Sequence, residues 1–155
     1  MNKILLVYAS KKGMTETLAE LIKEDLGQID LVNINEKQAD PKPYDKIIIG
    51  SPIYIGKIHK KIKAWIQQNQ DSLLSKTTAV YLCGMNFNEE KQVIENNFTK
   101  SEINHFFIKY LGGAYRFDRL NFLEKFMIKK ITGESQSRQE IHQDVFKELI
   151  SYIQA

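Results

Sequence analysis

The chain has 155 residues, 43% of them hydrophobic and 26% charged, and its 22 Lys and Arg against 19 Asp and Glu leave a net charge of +3. This is globular composition; it argues against wholesale disorder, a fibrous repeat and, with so small a basic excess, nucleic-acid binding. One cysteine, Cys83, rules out an internal disulfide and a cysteine-rich zinc site, so no metal centre is expected. No apolar run approaches the roughly 20 residues of a membrane span, and no leader is visible after Met1-Asn2-Lys3. We expect a single domain over residues 1–155 in a reducing cytoplasm.

Ile4-Leu5-Leu6-Val7-Tyr8 reads as a buried strand, followed by a polar, Gly-containing turn. From Thr15 the period becomes that of a helix, with Leu18, Leu21, Ile22 and Leu26 on one face, and Gly27 stops it. Ile29 to Ile34 is a short strand, and Asn35 to Asp45, holding Pro41 and Pro43, is a connection. Lys46 to Gly50 is the next strand, ended by Ser51-Pro52. Ile58, Ile62, Trp65 and Ile66 then mark an amphipathic helix, and Thr77 to Cys83 is a buried strand closed by Gly84. A polar helix around Glu89 to Phe98 leads to a last strand near Phe106 to Leu111 and to a loop from Gly112-Gly113. Leu120 to Ile131 is helical with a wide apolar face, and a closing helix from about Gln139 to Ile153 buries Ile141, Val145, Leu149 and Ile153. Strands alternating with helices predict a parallel sheet covered on both faces, the doubly wound α/β class.

In an open sheet of that class a ligand lies beyond the carboxyl ends of the strands, where the strand order reverses. The loop after the first strand, Ser10-Lys11-Lys12-Gly13-Met14-Thr15, runs directly into a helix. Its Gly and hydroxyl residues let backbone N–H groups curl around an anion, and the helix dipole adds attraction. Ser10, Thr15 and Thr17 are hydroxyl donors for phosphate oxygens. There is no Gly-Lys-Ser/Thr ending and no Gly-x-Gly-x-x-Gly, which excludes a nucleoside-triphosphate P-loop and a dinucleotide fingerprint. The first strand ends without acids, unlike a phospho-acceptor receiver, and no Arg-bearing loop follows Cys83, unlike a phosphatase.

Leu6, Val7 and Tyr8, then Ser10, Gly13, Thr15, Ala19 and Ile22, fit every fixed position of a signature 17 residues long, and on these the chain resembles the flavodoxins. The resemblance implies a flavodoxin-like, five-stranded parallel sheet in the order 2-1-3-4-5. It implies FMN as cofactor, with the 5′-phosphate held by Ser10, Lys11, Lys12, Gly13, Met14 and Thr15. Ser51-Pro52-Ile53-Tyr54-Ile55-Gly56 would pass one face of the flavin ring, Tyr54 stacking on it and Gly56 letting the backbone come close. Gly84, Met85 and Asn86 would meet its pyrimidine edge. Lys11 and Lys12 are additions to the family pattern, either solvated or assisting the phosphate. Cys83 reads as a buried strand-end residue without a redox role.

Gly112-Gly113-Ala114-Tyr115-Arg116-Phe117 and Phe126-Met127-Ile128-Lys129-Lys130-Ile131-Thr132-Gly133-Glu134 are similar to the oxygen-independent, quinone-linked protoporphyrinogen oxidase family. Ile48-Ile49-Gly50-Ser51, Tyr54, Gly56 and His59 share that similarity. It implies an FMN-dependent oxidoreductase that passes electrons from a substrate through the flavin to a quinone or another acceptor. The chain departs from that family at Ile53, where an Arg commonly precedes the loop tyrosine. Its shorter insertion carries Glu89, Glu90 and Glu95, which equally fits a relative with another substrate.

Lys57, Lys60, Lys61, Arg116 and Arg119 gather positive charge around the expected flavin mouth, where electron carriers of this fold are usually acidic. That charge suits an anionic tetrapyrrole, with Lys57, Arg116 and Arg119 as substrate contacts. No catalytic residue is assigned; Tyr54 and His59 are the candidates for proton handling. The helix carrying Lys125, Lys129 and Lys130 beside Leu123, Phe126, Met127 and Ile131 reads as core with a solvated basic side, or as a peripheral membrane or quinone contact. The alternative function is a flavodoxin-type electron carrier without a small-molecule substrate, whose basic patch docks an acidic redox protein.

Overall fold

A run as apolar as Ile4-Leu5-Leu6-Val7-Tyr8 is stable only where both of its faces are covered. In the computed structural model, which describes residues 3–10, 13–84, 86–115 and 138–155, that run is β1 (Ile4–Tyr8), inside a sheet. On one flank β2 (Asp30–Asn33) pairs with it in parallel, Leu31 opposite Leu6. On the other flank lies β3 (Lys46–Tyr54), with Ile48 opposite Leu6. A short return strand, β4 (Lys57–Ile58), folds back antiparallel on the end of β3. The parallel series continues through β5 (Thr77–Cys83) and β6 (Phe107–Tyr115), and β7 (Arg138–Ile141) closes the edge antiparallel to β6. The five parallel strands stand in the expected order, here β2-β1-β3-β5-β6. To that order the structure adds β4 and β7.

Alternation along the strands divides the core in two. Leu5, Val7, Ile47, Ile49, Val80 and Leu82 face α2 (Lys60–Gln68), α3 (Gln70–Leu74) and α4 (Glu90–Asn97), where Ile62, Trp65, Ile66, Leu73 and Val93 cover them. Leu6, Ile48, Ala79 and Tyr81 face the other way, onto Leu18, Ala19 and Ile22 of α1 (Met14–Leu26). Leu149, Ile150 and Ile153 of the closing helix α6 (Gln143–Gln154) complete that side, while α5 (Lys100–His105) leads into β6. Each of these large apolar side chains contributes roughly 1.5–3 kcal/mol by leaving water. Lys46 is buried at the start of β3 because its ammonium donates to the backbone oxygens of Ile153 and Ala155 at the carboxyl end of α6.

Several boundaries correct the sequence reading. β3 does not end at Ser51-Pro52 but pairs with β5 as far as Pro52 opposite Cys83, then with β4. Proline is tolerated there because β1 has already ended, opposite Gly50, leaving one flank of β3 open. Ile58 belongs to β4 and not to a helix; α2 begins after His59, whose Nδ1 accepts from Lys61 N (3.1 Å) and caps it. Gly112-Gly113 does not open a loop but lies inside β6, paired with Ile141 and Glu140. Residues 138–141 are strand, so Ile141 is no part of the closing helix. The expected helix from Leu120 to Ile131 lies outside the described residues.

Candidate functional site

The chain leaves β1 for β2 on one flank and returns to β3 on the other, so the strand order reverses between β1 and β3. Beyond their carboxyl ends lies the crevice where doubly wound sheets take ligands. Ala9 N donates to Gly50 O (3.3 Å) and Ile34 N to Tyr8 O (2.8 Å), which gathers the three strand ends. Gly13 stands at φ 93, left-handed backbone that a side chain resists, at the entry to α1. Its N–H donates to Ser10 Oγ (3.1 Å), and its carbonyl accepts from both the N–H (2.9 Å) and the hydroxyl (2.8 Å) of Thr17. Among the described residues no side chain caps α1. Its first N–H groups, at the positive end of the helix dipole, therefore form a cradle for an anion. Lys11 and Lys12, which complete the loop in sequence, lie outside the described residues.

Beneath the cradle, Thr15 is only 2% exposed. Burial pushes the Cys83 thiol up to about 12, against the smaller opposing effect of a hydrogen bond with the Thr15 side chain. The thiol thus stays protonated at neutral pH, which agrees with a strand-end role. Thr15 O accepts from the hydroxyl of Tyr81 (2.9 Å), whose phenol is held well above its usual range by burial. The Tyr81 ring fills the space that any side chain at residue 50 would need: a Cβ on Gly50 would sit 2.2 Å from Tyr81 Cζ. Gly50 and Tyr81 together tie β3 and β5 to the first turn of α1. In that turn Glu16 accepts from the Tyr8 hydroxyl (2.9 Å), and burial first, then this carboxylate, raise the Tyr8 phenol.

Across the crevice stands the β3–β4 hairpin. Tyr54 pairs with Lys57, and the two residues between them, Ile55 at φ 48 and Gly56 at φ 71, are both left-handed. Tyr54 is 64% and Ile55 74% exposed, two large apolar groups at one tip. Ser51 is fully buried; its hydroxyl donates to Pro52 O (2.9 Å) and accepts from His59 N (2.9 Å), a brace within the hairpin. The Nδ1 of His59 is engaged in the cap of α2, where it accepts from Lys61 N. Ile53 is half-buried and touches the third loop, where a Cβ on Gly84 would lie 3.5 Å from Ile53 Cβ.

The third loop begins as Gly84 N donates to Gly112 O (2.9 Å). Asn86 is exposed and opens a short 3-10 turn, its Oδ1 accepting from Asn88 N (3.1 Å). The pairing of β5 with β6 shifts between Leu82 and Cys83, and there Tyr110 N donates to Glu90 Oε2 (2.7 Å). Glu90, expected from sequence only as part of an acidic insertion, is thus a brace for the irregular part of β6. Met85 lies outside the described residues, as do Arg116 and Arg119. The structure accordingly brings Ser10, Gly13, Met14 and Thr15, the hairpin 51–56, and Gly84 with Asn86 to one end of the sheet. Lys57, Lys60 and Lys61 are exposed on the hairpin and the start of α2.

Sequence reasoning missed Tyr81, Glu90 and Asn97. Asn97 could have been found, since it falls four residues after Val93 on the buried face of α4. Nothing in the spacing of Glu90 and Tyr110 announces their bond. A hollow of about 180 Å³ between α2, α4 and α5 is lined by Ile58, Lys63, Asn97 and Glu102 among others. Glu102 there accepts from Thr99 N and Gln70, and Lys63 donates to Asn97 O.

An anion cradle and an exposed aromatic tip at the switch point of a 2-1-3-4-5 sheet define a class of small ligand-binding α/β proteins. The chain belongs to the flavodoxin domain family, whose model matches residues 5–141. It is similar to protoporphyrinogen IX dehydrogenase [quinone] of Escherichia coli (strain K12), 24% identical over 157 residues, spanning 90% of this chain and 86% of that protein. A flavodoxin of Clostridium saccharobutylicum is 35% identical over 75 residues, 44% of this chain and 47% of its own. Among solved structures, a flavoprotein from Lactobacillus acidophilus NCFM in complex with FMN shares the fold, with a TM-score of 0.53, 19% identity, and 73% of this chain and 91% of that one covered.

Proposed function

We infer that this chain binds FMN at the carboxyl end of its sheet and works in electron transfer. The observation that carries the reading is the glycine-led, uncapped start of α1 at the β1/β3 switch point, within a chain of the flavodoxin family. Ser10, Gly13 and the N–H groups of Met14 and Thr15 would hold the phosphate, with Lys11 and Lys12 beside them. Tyr54, Ile55 and Gly56 would receive one face of the ring, and Gly84, Met85 and Asn86 its edge. Ser51, Pro52 and Ile53 shape the hairpin from below. When bound, FMN supplies one- and two-electron chemistry; the protein binds, orients and shields it.

The first reading is a flavodoxin-type carrier. Its support is the flavodoxin relatives and the exposed tip, beside which Lys57, Lys60, Lys61 and Lys63 stand with no acid between residues 57 and 63. Such a surface docks an acidic redox protein. The second reading is favoured by a relative aligned over 90% of this chain, the quinone-linked protoporphyrinogen IX dehydrogenase. In it Lys57, Arg116 and Arg119 receive the carboxylates of a tetrapyrrole and a quinone takes the electrons.

Purified protein should be yellow, or take up one FMN per chain with quenching of flavin fluorescence. Colourless protein that quenches none would overturn both readings. Rapid exchange with an acidic redox protein, weakened by salt, supports the carrier. FMN-dependent formation of fluorescent porphyrin from protoporphyrinogen and a quinone under anaerobic conditions supports the enzyme. Lys57→Glu lowers partner association in the first case and raises the substrate requirement in the second.

A further inference from the structure

The turn at the tip of the β3–β4 hairpin is costly in itself. A two-residue hairpin with both central residues left-handed favours Asn-Gly, whereas here the pair is Ile55-Gly56. A β-branched residue in that conformation costs about 1–3 kcal/mol. Ile55 gains little from burial in exchange, being mostly solvent-exposed. Something else must hold the turn.

One buried side chain does so from both sides. Asn97, the last residue of α4, donates from Nδ2 to Gly56 O (2.9 Å) and accepts at Oδ1 from Ile58 N (3.2 Å). These two backbone groups flank Lys57, so the planar amide bridges the returning strand just past the turn. The same Nδ2 donates to Val93 O (2.7 Å), which fixes the amide in the last turn of α4. Ser51 secures the base of the hairpin through His59 N (2.9 Å). The tip that carries Tyr54 is therefore set by a residue far along the chain.

We propose that Asn97 is a positioning residue for the cofactor: through Gly56 O and Ile58 N it holds the strained Ile55-Gly56 turn, and with it Tyr54, in the arrangement that receives the flavin. It acts through the turn and touches no reacting atom. The proposal rests on the reading of residues 54–56 as a flavin loop. The competing role, a cap for α4 through Val93 O, would leave the turn indifferent to Asn97.

The test is a rescue measured by FMN titration on the full chain. Asn97→Ala removes the bridge; Asn97→Asp keeps an acceptor for Ile58 N but sets a carboxylate against the Gly56 carbonyl. Each weakens FMN binding about tenfold or more, the loss of roughly 1.4 kcal/mol. Ile55→Asn turns the pair into the Asn-Gly sequence that holds such a turn unaided. In that background either Asn97 substitution costs less than about threefold, since the turn no longer depends on the bridge. Equal losses in both backgrounds would assign the effect to α4 and overturn the proposal, as would unchanged affinity in both Asn97 variants. If Asn97→Ala does not fold, the Asn97→Asp pair carries the comparison. A parent chain that binds no FMN removes the flavin reading and this role with it; a parent that binds alongside equally tight variants removes this role alone.

Discussion

The loop after β1 and the hairpin after β3 face each other at one end of the sheet, and their conformations have different sources. Around Gly13 itself the bonds are local: Gly13 to Ser10, Thr17 twice to Gly13, each three or four residues away. The hairpin depends on a side chain from another element, Asn97, 41 residues from Gly56, with Ser51 bracing its base. The first loop is a conformation that its own sequence prefers; the second is imposed on a sequence that prefers something else. A loop of the first kind survives distant changes, whereas one of the second kind transmits them.

Four measurements would break or sharpen this contrast. The largest effect is expected at Gly13→Val, which forces a β-branched residue to φ 93 at the cradle itself. FMN affinity should fall about 100-fold in a fluorescence titration; binding within a few-fold of the parent would show that the local bonds do not set the cradle. Next comes Gly50→Ala, where the new Cβ meets the buried Tyr81 ring between the two regions. Overpacking of this kind costs about 2 kcal/mol, and the thermal midpoint should drop accordingly. Ile55→Asn should move stability the other way, raising the midpoint by roughly 2–4 °C as about 1 kcal/mol of strain is relieved. No rise would mean that the hairpin is not strained. The smallest effect lies at alkaline pH, in the connection before β3. Tyr44 donates to Asp30 Oδ2 (2.6 Å), and that bond first, then burial, raises its phenol to about 12. Only the protonated phenol donates, so the stabilisation is intact below about pH 10 and fades as pH climbs to about 12. Tyr44→Phe should remove that segment of the pH–stability curve.

The same division decides what could be read in advance. β1 and β5 are legible because a continuous apolar run bounded by turn residues has one comfortable environment, the middle of a covered sheet. The glycine turn into α1 is legible because Ser10 and Gly13 interact over a few residues, whereas the Thr17 hydroxyl, expected to meet a phosphate, donates to Gly13 O instead. Where the sequence reading errs, a neighbour distant along the chain is responsible. Pro52 looks like a strand end until β1 is known to stop opposite Gly50. Gly112-Gly113 looks like the start of a loop until β7 comes to pair with it. Ile58 keeps helical spacing with Ile62, yet it pairs with Ile53 of β3 and gives its N–H to Asn97.

β6 and β7 pair from Gly112 with Ile141 to Tyr115 with Arg138. Because the two strands are antiparallel, the chain departs from Tyr115 and comes back at Arg138 at neighbouring-strand spacing, roughly 5 Å. Both points lie at the carboxyl end of the parallel sheet, the end that carries the cradle and the hairpin. The β6–β7 pairing therefore brings Tyr115 and Arg138 side by side whatever the length of chain that joins them.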